Sequence, residues 1–173
     1  MKTKAPDLAL RGTAYHEAGH AVATYFLGRA GRAKRVTIVP DQQRSTLGCT
    51  HHAGARRRFR PDIDWDGATR LRLEAEIMIY LAGEVAEARV TGRHNRDGAQ
   101  SDYEHAANLA LYAGASERQA DAFLKWLEIR TEELLATRWA QVKAVAAALL
   151  RHGTLDGDAL RQLIVPDHSG PAR

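Results

Sequence analysis

Residues 13–22 read TAYHEAGHAV, and within them stands His16-Glu17-Ala18-Gly19-His20. Residues 11–27 carry a helical pattern that runs out at Gly28, a residue suited to the left-handed backbone at a helix end. Residues four apart on a helix share a face, so the two imidazoles can reach one ion. Zinc accepts histidine nitrogen at about 2.0–2.1 Å. Glu17, beside the first histidine, is placed to take a proton from a water on such an ion. The pattern nominates His16 and His20 as metal ligands and Glu17 as a general base. The competing reading is two ordinary surface histidines, and the helical context favours the metal.

A catalytic zinc normally takes a third protein ligand and leaves one position open. The extended pattern HExxHxxGxxH is not met, because Ala23 and Phe26 stand where its glycine and last histidine belong. A site completed by a glutamate on a following helix is a poor match too. After Glu17 the next glutamate is Glu74, in the middle of a long helical stretch. No run approaches the roughly 20 apolar residues of a membrane-spanning helix, which sets aside an intramembrane protease.

Beyond the first helix, RVTIVP at 35–40 predicts a strand, 41–45 (DQQRS) a polar turn, and 46–52 (TLGCTHH) a return strand. Residues 53–66 read as irregular. A long helix is predicted over 69–90, stopped by Gly92, followed by a polar loop at 93–100. Ser101 with Glu104 is a capping-box pattern, opening a helix to about 113. Ser116 with Gln119 opens another helical stretch to about 151, with a break expected near 136–137 and a stop at Gly153. A last short helix is predicted over 157–164, and 166–173 reads as a loose tail. The expected fold is mainly α, a helical zincin-like domain with a small β-hairpin or sheet near the N-terminus. No linker divides residues 1–173, so one domain is expected.

The bulk properties agree with a globular chain. Its 173 residues are 45% hydrophobic, and the net charge of +4 is too modest to imply nucleic acid. Cys49 is the one cysteine, so no intrachain disulfide can form. Residues 1–12 (MKTKAPDLALRG) lack the apolar core of a signal peptide. A cytoplasmic location without a membrane anchor is the expectation. Trp65, Trp126 and Trp139 are read as packing residues.

Several segments in order resemble the proteolytic domain of FtsH-type ATP-dependent zinc proteases. They are TAYHEAGHAV at 13–22, KRVTIVP at 34–40 with TLGCT at 46–50, YLAGEVAEARVTG at 80–92, SDYEHAANLA at 101–110, and TLDGDALRQLI at 154–164. The resemblance implies a zinc peptidase and makes Asp102 the third ligand. Read without it, Asp102 is an acid favoured in the first turn of a helix, and Asp97, Glu104 and His105 are rivals for the ligand role. His105 could also support a ligand from outside. The family's AAA+ ATPase module has no counterpart here, because no Walker-type loop ending in Lys-Ser/Thr occurs in the sequence. DQQRS also makes a longer strand connection than the family's, and the segment after Ala113 looks shortened.

The function implied is hydrolysis of peptide bonds in unfolded or flexible polypeptides, with Zn²⁺ as cofactor. A separate ATPase partner and self-association are compatible with it. The strand at 46–50 can be a peptide-binding edge or an ordinary solvent-facing one. Two other classes compete. One is a zinc-binding regulatory or scaffold protein with little turnover. The other is a nucleic-acid-binding module using Arg56, Arg57, Arg58 and Arg60 around Phe59, against which a solvated loop or subunit contact is the plainer reading. Adjacent His51 and His52 point to opposite faces of a strand and make a poor metal pair.

Overall fold

A computed structural model describes residues 7–29, 33–40, 49–52, 59, 61–62, 65–94, 100–114 and 116–165. Among these the chain is mainly helical: α1 (Leu8–Thr24), α2 (Gly67–Thr91), α3 (Gln100–Ala110), α4 (Glu117–Thr137), α5 (Trp139–His152) and α6 (Gly157–Ile164). Three short strands, β1 (Ala33–Thr37), β2 (Cys49–His52) and β3 (Thr154–Asp156), form an antiparallel sheet in the order β2-β1-β3. The third strand was not expected, since three residues between Gly153 and a helix carry no readable alternation. Tertiary pairing makes it: Val36 faces Leu155, and the Thr37 and Thr154 hydroxyls lie 2.7 Å apart.

α1 begins earlier than the sequence pattern suggested and loosens into a wider turn over Tyr25–Arg29, where Gly28 takes φ 77°. α2 starts on the Asp66 carboxylate, which accepts the Thr69 N–H at 2.6 Å, and stops at Gly92 with φ 70°. Ser116 caps α4 as expected, through its hydroxyl and the Gln119 N–H. The expected break falls at Arg138, whose guanidinium lies 4.2 Å from the Phe26 ring centroid. Ser101 is not an N-cap. α3 already includes Gln100, and Gln100 rather than the backbone bonds the Glu104 carboxylate.

α2 is shared by two cores. Its Ile79, Ala82 and Ala86 pack with Ala14, Ala18, Ala21 and Val22 of α1, against β1, α5 and α6. Its Leu73, Ile77, Met78 and Leu81 pack with α3 and α4. Burial of such side chains stabilises by roughly 1.5–3 kcal/mol each, so α2 is the element on which the rest is registered. The α1–α2 crossing is close because Gly19 has no side chain. A Cβ there would lie 2.3 Å from the Ala82 carbonyl oxygen and 2.8 Å from the Ala86 Cβ.

Trp139 packs as expected, stacked on Tyr15 and with the Arg89 guanidinium over its ring. Trp65 and Trp126 do not, being 49% and 43% exposed; Trp126 is only partly covered by Phe123 and Arg130. Arg56, Arg57, Arg58, Arg60 and Asp97 lie outside the described residues. No described helix is long and apolar enough to cross a membrane.

Candidate metal centre

The i, i+4 spacing on α1 brings the Nε2 atoms of His16 and His20 to 3.1 Å from each other. α3, which packs against α2, delivers Asp102. Its Oδ2 lies 3.2 Å from His16 Nε2 and 3.1 Å from His20 Nε2. His16, His20 and Asp102 are a group able to hold a metal ion.

The remaining ring nitrogens decide what this triangle is for. His20 Nδ1 donates to the Ile79 carbonyl at 2.8 Å. His16 Nδ1 faces the Glu87 carboxylate at 3.3 Å. A carbonyl and a carboxylate can only accept, so both rings carry their hydrogen on Nδ1, and in the neutral form both Nε2 atoms present lone pairs. Two lone pairs and a carboxylate oxygen then converge on one point, an arrangement suited to a cation. Tetrahedral ligands at about 2.1 Å from zinc are about 3.4 Å apart, close to the spacings found here.

Absent a metal, a proton does this work. Burial alone would lower the His16 pKa, but hydrogen bonding to Asp102 and Glu87 and the nearby Glu17 charge prevail and push it up to about 9. Burial acts on Asp102 in the opposite sense to its histidine partners. Hydrogen bonding with His16 and His20 prevails and holds its carboxyl well below the usual carboxylate range.

Glu17 is buried on α1 beside His16. Of the rivals of Asp102 among the described residues, Glu104 is exposed and held by Gln100, and His105 is exposed, bonded to the Ser101 carbonyl and stacked on Tyr80. Sequence reasoning overlooked Glu87, the Ile79 carbonyl and Gly83, all on α2. One signal was available: a glycine in mid-helix with a glutamate four residues on, inside the largely apolar run YLAGEVAE.

Comparison with known proteins adds the family. The chain is 35% identical over 191 residues to an ATP-dependent zinc metalloprotease FtsH of Rickettsia conorii, covering 89% of this chain and 29% of the relative. It is 42% identical over 97 residues to an FtsH of Syntrophus aciditrophicus, covering 56% of this chain and 12% of the relative. It is 28% identical over 176 residues to the human ATP-dependent zinc metalloprotease YME1L1, covering 86% and 22%. The chain thus spans less than a third of the length of these relatives. The model of peptidase family M41 matches residues 7–115, a stretch that holds His16, Glu17, His20, Glu87 and Asp102, and the chain belongs to that family.

Proposed function

We propose that the chain is a zinc-dependent endopeptidase acting on unfolded or flexible polypeptide, with His16, His20 and Asp102 as ligands and Glu17 as general base. One observation carries the reading: three donor atoms meet within 3.2 Å while both Nδ1 positions are occupied by acceptors. Two nitrogens and one carboxylate oxygen form a three-ligand set of the kind that leaves a fourth position for water or substrate.

A zinc ion held there would polarise the scissile carbonyl and make a bound water more acidic. Glu17 then holds the proton removed from the water and passes it to the leaving amine, one carboxylate serving as base and then acid. Glu87 and the Ile79 carbonyl fix the two imidazoles in the tautomer that faces inward. Among the described residues β2 lies at one edge of the sheet, so its outer side is suited to pairing with an extended peptide. Folded substrates would need unfolding by a separate ATPase; the relatives FtsH and YME1L1 are ATP-dependent.

The test is metal content and cleavage of an unfolded protein such as casein, wild type beside Glu17→Gln. About one zinc per chain in both is expected, with turnover at least a hundredfold lower in the variant. His16→Ala and His20→Ala should each abolish stoichiometric zinc. Equal cleavage by wild type and Glu17→Gln would remove Glu17 from the chemistry.

A further inference from the structure

Gly83 lies in the interior of α2, where glycine is the least favoured residue after proline. It is not at a turn and needs no left-handed backbone. The reason for it lies across the helix interface. A Cβ built on Gly83 would fall 2.4 Å from His20 Nε2, 2.6 Å from His16 Nε2 and 2.8 Å from His16 Cε1. The two closest atoms are the donor nitrogens themselves.

Neither ring can swing aside at low cost. His20 is tied through Nδ1 to the Ile79 carbonyl, one turn earlier on α2, and His16 through Nδ1 to Glu87, one turn later. The rings are thus held from both sides of Gly83 by the same helix that would carry the new side chain. Backing α2 away would give up the close α1–α2 approach that Gly19 permits at the Ala82 carbonyl.

We propose that Gly83 is a positioning residue of the metal centre: its missing side chain leaves the space in which the two Nε2 atoms turn toward a common ion. The inference rests on the metal-centre reading above. It also implies that α2 closes one side of the ion, so that water and substrate approach from another side.

Gly83→Ala tests it in the full chain, with two measurements. In a competition titration against a chelator, the folded variant should bind zinc at least about tenfold more weakly than wild type. The second is a stability cycle after chelation. Gly83→Ala should lower the melting temperature of the otherwise wild-type chain. In the His16→Ala/His20→Ala background the same change should be neutral or stabilising, since alanine is the better helix former once the rings are gone. A variant that folds only in that background supports the proposal equally. Unchanged zinc affinity in folded Gly83→Ala would overturn it, as would the same loss of stability, or of folding, in both backgrounds. Absence of zinc from the wild type would instead defeat the metal-centre reading, while the stability cycle still decides whether the glycine serves the histidines.

Discussion

The Glu87 carboxylate lies 3.3 Å from His16 Nδ1, although the two residues are 71 positions apart in the chain. Both are largely buried, so the contact fixes the ring orientation and raises the basicity of the nitrogen that faces Asp102. Glu87→Gln keeps the shape and a carbonyl oxygen able to accept but removes the charge. Zinc affinity should fall by about 10–100-fold while helix content is unchanged. Chelator competition measures the first and circular dichroism the second. Affinity equal to wild type would mean that Glu87 serves only the α1–α2 contact.

Asp102→Asn separates a ligand from a helix-start acid. As a mere first-turn acid, Asp102 would contribute about 0.3–1 kcal/mol of stability, and its loss would leave zinc alone. As a ligand, its loss weakens zinc binding, with cleavage falling in parallel. Zinc titration of the folded variant distinguishes the two. Unchanged affinity would transfer the third-ligand role to another acid or histidine.

Zinc binding should release a proton. In the metal-free chain the His16 pKa is raised from 6.5 to about 9, so at pH 7 the folded site holds a proton that the ion must displace. Apparent zinc affinity should therefore rise about tenfold per pH unit from pH 7 and level off near 9. The same shift contributes folding stability to the metal-free chain that is fully present below pH 6.5 and lost as pH rises through about 9. Asp102, with its pKa depressed, contributes stability that is lost only in acid. Calorimetry in buffers of different ionisation enthalpy counts the protons. No proton release at pH 7 would contradict the His16–Asp102 pairing.

Substrate state gives a prediction independent of the ligands. The sequence carries no Walker-type loop. The purified chain should cut casein or short peptides, spare a stably folded domain, and show no change on adding ATP. Stimulation by ATP in a highly purified preparation would contradict this reading.

His16, Glu17 and His20 were legible in the sequence because helix geometry is local: residues four apart share a face whatever the rest of the chain does. The same locality made the long helices and their stops at Gly92 and Gly153 readable. Asp102 was different. Its own neighbourhood shows only an acid in a first turn, and the Ser101 cap that framed it turned out to lie inside α3. Its meeting with the histidines, 82 and 86 residues away, depends on α3 packing against α2 through Ala106 and Ala110. β3 was illegible for a related reason, since three residues become a strand only when β1 offers an edge. Glu87, the Ile79 carbonyl and Gly83 also acquire their roles only at the α1–α2 crossing that Gly19 permits. The sequence by itself determined the two imidazoles and the helix that carries them. The tertiary structure decided what surrounds them, because those contacts join residues whose proximity no local backbone preference encodes.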